Sequence, residues 1–194
     1  MPACVRIPEP GRVWLMAAVL GLAGCSDPAA DGRFEIKRLD ANWLSEQVRI
    51  STEQRLELSE EARDALIHGV PLTLALDLRI RNTSNQIRAA ENSVRYEIRY
   101  LPLSDHYQLA FSDDTPTRIF PRLRHVLADL SRSSIVVPTG VLPAGEYEVL
   151  ARLRLDQNTM PPPMRLPVLL SSKWRHDSSW SSWPLLISTA GSSQ

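Results

Sequence analysis

Between residues 33 and 188, apolar and polar residues alternate with period two, the signature of strands that are dry on one face and wet on the other. The longest clean run is 72–81, LTLALDLRIR. Leu72, Leu74, Leu76, Leu78 and Ile80 share one face, and Thr73, Asp77, Arg79 and Arg81 share the other. The pattern recurs. Val94, Tyr96, Ile98 and Tyr100 alternate with Arg95, Glu97 and Arg99, and Tyr107, Leu109 and Phe111 alternate with His106 and Gln108. Tyr147, Val149, Ala151, Leu153 and Leu155 alternate with Glu146, Glu148, Arg152 and Arg154. Val48, Ile50, Leu56 and Leu58 share a parity, and shorter runs lie at 33–37, 134–138, 165–170 and 183–188.

Two segments break the alternation and predict short helices. In 59–68, SEEARDALIH, Ser59 caps the exposed amides, and Glu60 and Glu61 sit at the positive end of the dipole. Gly69 then suits a left-handed stop, with Pro71 beyond it. In 119–130, Ile119, Leu123, Leu127 and Leu130 stand at helical spacing, with a start expected near Phe120 because Pro121 fits only a first turn. Pro102, Ser104 and Asp105 mark a hairpin turn. The stretch 142–147, LPAGEY, resembles the tyrosine-corner entry of immunoglobulin-like sandwiches, in which the phenol bonds back to the preceding loop. Many strands, two helices and no β-α-β alternation predict a mainly β fold: an immunoglobulin-like antiparallel β-sandwich with two short helices, a closed barrel being the alternative. One domain is expected over 33–188, followed by a frayed tail at 189–194.

The first 32 residues read differently. Arg6 and Arg12 precede an uncharged run, VWLMAAVLGLA at 13–23. It matches a signal-peptide core and falls short of the roughly 20 apolar residues that a membrane-crossing helix needs. The run ends in Leu22-Ala23-Gly24-Cys25, which resembles the lipobox of bacterial lipoproteins. That resemblance implies a signal peptide over 1–24, cleavage before Cys25, and diacylglycerol on its sulfur. A lipidated tether, 25–32, would follow, rich in small and polar residues. Acyl chains buried at about 0.8 kcal/mol per CH₂ would hold the domain on a bilayer. Ser26 after the cysteine points to the outer rather than the inner membrane, facing the periplasm. The covalent lipid is the only cofactor expected.

Charge narrows the partners. Without residues 1–24, 20 basic residues face 21 acidic ones, and such balance gives no general attraction to nucleic acid. All basic residues but Lys37 and Lys173 are arginine. The guanidinium fork suits phosphate, but the arginines are scattered, and a compositional bias explains them more simply. Apart from Cys25, the only cysteine is Cys4, so the mature domain is expected to hold no disulfide or thiolate metal site.

No catalytic motif is found. His68, His106, His125 and His176 never stand two or four residues apart, so no metal site is predicted, and each reads as a surface or turn residue. The adjacent pairs Glu60-Glu61 and Asp113-Asp114 do not converge on one point. Arg118, Arg122 and His125 would form a stripe on the second helix, either a solvated face or a surface for lipid phosphates or an acidic partner. Trp174, Trp180 and Trp183 crowd into ten residues, either filling the open end of the core or lining an aromatic cleft, with Trp180 the one expected to be exposed.

Several stretches together resemble an uncharacterised proteobacterial family, domain of unknown function 4390. They are LSEEARDALIHGVPLTLALDLRI at 58–80, VRYEIRYLPLSDHYQL at 94–109, YEVLARLRLD at 147–156 and KWRHDSSWSSWPL at 173–185, with the helix around 119–130. The resemblance covers most of the mature domain, implies an envelope protein, and brings no catalytic residues to carry over. The expected function is a membrane-anchored, non-enzymatic protein-binding or assembly module of the cell envelope. A periplasmic input subunit of a sensor histidine kinase is the alternative, and an envelope hydrolase the third reading.

Overall fold

The computed structural model describes residues 32–113, 115–162 and 171–188, so the segment 165–170, the tail and the first 31 residues lie outside it. The chain is mainly β, with two antiparallel sheets and two α-helices among the described residues. The strands are β1 (Arg33–Leu44), β2 (Gln47–Glu57), β3 (Leu72–Asn82), β4 (Arg88–Leu101), β5 (His106–Phe111), β6 (Arg118–Phe120), β7 (Arg132–Pro138), β8 (Gly145–Leu155) and β9 (Ser181–Ile187). Helix α1 (Glu60–Ile67) joins β2 to β3, and α2 (Leu123–Leu130) joins β6 to β7. The small sheet has the order β1-β2-β7 and the large one β6-β5-β4-β3-β8-β9. No helix among the described residues is long and apolar enough to cross a membrane.

Strand β3 lies inside the large sheet, paired with β4 and β8 along nearly its whole length. Its five alternating apolar residues are fully buried and meet Val48, Ile50 and Leu56 of β2 in one core that both sheets share. Strand β2 buries every even position from 48 to 56, including the polar Thr52 and Gln54. The Gln54 side chain offsets its burial by donating to the Leu130 carbonyl (2.7 Å) and Ser133 Oγ (3.2 Å), tying β2 to the junction of α2 and β7.

Helix α1 forms as its signals predict. Ser59 Oγ accepts the Ala62 amide, His68 is the C-cap, and Gly69 follows with φ +89°. Tyr147 donates its hydroxyl to the Pro143 carbonyl (3.0 Å), the corner bond expected of LPAGEY.

Two elements differ from expectation. Strand β1 runs to Leu44, not to residue 37. A bulge between Ile36 and Arg38 moves the buried set from Phe34 and Ile36 to Leu39, so one extra residue breaks the alternation in mid-strand. The second helix begins at Leu123, because Arg118–Phe120 instead pairs with Tyr107–Leu109 as β6. Pro121 therefore precedes the helix rather than opening it.

Leu76→Ala is expected to cost about 2–5 kcal/mol of stability, and Tyr147→Phe about 1 kcal/mol. Urea unfolding of both variants checks the order of these two losses.

Candidate functional site

The small sheet is narrower than the large one, and the mismatch shapes the main concavity. Beyond the edge of β7 opens a groove of about 610 Å³. Five consecutive residues of β7, Arg132–Val136, line one side, so the groove follows the strand edge. Asn92, Val94 and Tyr96 of β4 and Phe111 of β5 also line it. Ser112, Asp113 and the ion pair of Arg118 with Asp129, whose two contacts measure 3.0 and 2.7 Å, complete the polar part of its lining. Arg118 also lies over the Phe111 ring, 5.1 Å from its centroid. Tyr96 is edge-on to Phe111 and donates to Ser133 Oγ (3.4 Å). Burial holds the Tyr96 phenol above its ordinary pKa despite the opposing Ser133 bond, so it stays a neutral donor.

The residues singled out in the sequence do not share one place. Cys25 lies outside the described residues. Arg118 lines the groove from β6, whereas exposed Arg122 sits at the N-cap of α2 beside a different concavity, with Ser104–Tyr107. The expected helical stripe of Arg118, Arg122 and His125 therefore does not exist, because only His125 lies within the helix. Trp174 is buried at 8% exposure. Trp183 pairs with Val149 and is half-buried against the core. Trp180 is also half-buried, with the Arg79 guanidinium 4.3 Å above its ring. No single cleft lined by all three occurs among the described residues.

Sequence reasoning missed what the arginines do together. On the outer face of the large sheet, Arg154 reaches Asp77 (2.9 Å) and Asp156 (3.2 Å), and Arg152 forks onto Asp177. Arg79 pairs with Glu91 (2.9 Å) and Arg81 with Glu148 (2.7 Å). Burial opposes ionisation of Asp177, but the Arg152 bonds and the Ser179 amide outweigh it and hold the carboxyl below its ordinary range. The polar positions of β3, β4 and β8 announce an outward face. Only strand register brings these charges together, and register is not written in any one segment.

The chain matches the family model described as domain of unknown function 4390 (DUF4390) over residues 31–184. It is a member of that family. No curated protein and no solved structure matches the chain.

This DUF4390 domain also holds one histidine where no surface residue could sit. His176 is 2% exposed, against the expectation of a turn residue. Its Nε2 accepts the Ser59 amide (2.9 Å), so the ring is neutral with its proton on Nδ1, which has no hydrogen-bond partner. Its ring also lies against Phe34, at 5.1 Å between centroids. Gly32, at φ +60°, lies against this ring, and a Cβ there would lie 2.0 Å from Nε2. The imidazole thus clasps Gly32, the cap of α1 and the segment before β9.

Burial pushes the His176 pKa below its ordinary 6.5, and the Trp174 carbonyl and Glu61 carboxylate oppose this only in part. As pH falls through 6.5 the unfolded chain gains a proton that the folded chain does not take up. Stability from this group is therefore complete above about pH 6.5 and declines below it until the depressed folded pKa is reached. His176→Gln keeps an acceptor for Ser59 without titrating, so urea midpoints measured from pH 7.5 to 5 should fall less for the variant than for the parent chain.

Proposed function

We infer that the chain is a lipid-anchored protein-binding module of the cell envelope, carried on an immunoglobulin-like β-sandwich. The observation that carries the binding reading is the open edge of β7 beside its groove, since strand edges flanked by a concavity are docking surfaces for proteins.

The strand order supports the sandwich. Read as the seven-strand scheme of immunoglobulin-like domains, β1-β2-β7 corresponds to strands A, B and E, and β9-β8-β3 to G, F and C. The tyrosine corner then falls where that scheme has it, on strand F, here Tyr147 of β8. Strands β4 to β6 extend the large sheet past C.

The anchor rests on Leu22-Ala23-Gly24-Cys25 behind an apolar run. Seven peptide links from Cys25 to Gly32 reach at most about 25 Å, so the domain stays close to the bilayer. Strand β7 pairs with Gln47–Glu53, the part of β2 away from Glu57, which faces Arg33 at the start of β1. The open edge thus lies toward the end of the sandwich remote from the tether, within reach of a partner in the periplasm.

Mass spectrometry of the native chain should show an acylated Cys25 as its first residue. Cys25→Ser should move the protein from the membrane pellet into the soluble fraction. An unmodified amino terminus, or a pellet fraction unchanged by the substitution, would remove the anchor.

A further inference from the structure

Four strand edges lie open among the described residues, and three carry a guard. Strand β1 has its bulge at Lys37 and the charges of Arg38 and Asp40. Strand β9 has Pro184 in its middle, and β6 is only three residues long. Short edges, prolines, bulges and edge charges are the devices that keep other chains from pairing. Strand β7 confines its devices to its two ends, Arg132 and Pro138, and leaves Ser133–Val137 bare, with Val136 at 44% exposure.

The main chain of β7 is oriented for pairing. One step past the end of the β2 register, the Gln54 amide donates to the Ser131 carbonyl (2.8 Å). Bonded pairs alternate in an antiparallel ladder, so Ser133, Ile135 and Val137 turn their main-chain groups to β2. Arg132, Ser134 and Val136 turn theirs to the groove. The groove holds about 610 Å³, the size of a site for a small ligand or a few residues of chain. The rest of its lining includes the polar Ser112, Asp113 and the Arg118–Asp129 pair, which offer partners to the main chain of an inserted strand. Val94 and Phe111 give the alternate side chains of that strand an apolar contact.

The geometry points to an extended peptide segment of a partner protein as the occupant, added to β7 as a fourth strand of the small sheet. This rests on the protein-binding reading above and names its partner chemistry: four or five residues, every second one apolar, with an acidic residue opposite Arg132. That guanidinium is exposed and makes no ion pair among the described residues, although Glu53 faces it across the β2–β7 pair. A second copy of this chain would present a whole sheet edge, more chain than a groove of about 610 Å³ holds.

The probe is a displayed library of random nine-residue peptides panned on the full chain in detergent, with recovered peptides measured by titration and residue-resolved amide exchange. Recovered peptides should alternate apolar with polar residues, carry Asp or Glu, and slow exchange at Ser134 and Val136 about tenfold or more. Val136→Pro removes a main-chain donor that β2 does not use, so the fold should tolerate it as edge strands tolerate proline. Its affinity should drop about tenfold or more, with the thermal midpoint nearly unchanged, as loss of a backbone bond and its neighbours requires. Arg132→Glu should shift selection from acidic to basic peptides. Peptides that bind Val136→Pro equally well, or protect amides elsewhere, overturn the assignment. So does protection at Ser134 and Val136 that appears without peptide and grows with protein concentration, the mark of a second copy. If envelope proteins crosslink equally to the parent and to Val136→Pro, the binding module stands and the β7 groove falls. If nothing crosslinks to the parent chain, both fall.

Discussion

Everything in this fold hangs on one dry face of one strand. Leu72, Leu74, Leu76, Leu78 and Ile80 of β3 must all point the same way, and they do so only while β4 and β8 hold the strand from both sides. A slip of one residue would turn Asp77, Arg79 and Arg81 into the core, away from the carboxylate and guanidinium partners they hold on the outer face. The outer charges reinforce this from the solvent side. Asp77 receives Ser93 from β4 (2.7 Å) and Arg154 from β8 (2.9 Å), so one carboxylate bridges the two neighbours in the correct register. Exposed pairs contribute about 0–1 kcal/mol each. The ladder's role is therefore to favour one register, while apolar burial supplies the stability.

What was legible in the sequence was local. The alternation of β3, β4, β5 and β8 depends only on neighbours along the chain, as do the Ser59 cap, the Gly69 stop and the Tyr147 corner. Membership of the DUF4390 family was legible for a related reason, since its stretches are continuous. What was not legible depends on a second segment. The Lys37 bulge hid the far half of β1 by reversing its parity. Strand β6 was read as helix because Ile119 and Leu123 stand at helical spacing, and only pairing with Tyr107–Leu109 decides otherwise. His176 carries no sign of burial in its surroundings, Arg175 and Asp177; it is buried because Ser59, 117 residues earlier, supplies the amide it accepts. The groove could not be read at all, because it is a difference in width between two sheets.

That difference in width accompanies the groove proposed above as a docking site. A small sheet of equal breadth would have covered β4 and β5 and left the edge of β7 paired. Instead α2 closes the core beside it, with Val126 and Leu130 buried. Edge, polar lining and apolar floor are thus products of the same constraint that sets the core. At the other end, His176 packs against Gly32 and accepts the Ser59 amide. The β7 edge and the His176 contact lie at different parts of β2, the first along Gln47–Glu53 and the second beyond Glu57.

Amide hydrogen exchange along β7 in the free chain tests the central claim most directly. The account predicts a saw-tooth: slow exchange at Ser133, Ile135 and Val137, and fast exchange at Ser134 and Val136. Uniformly slow exchange across these residues would mean that the edge is already covered, and uniformly fast exchange that β7 does not belong to the sheet. Either result would contradict an open edge on a folded sandwich.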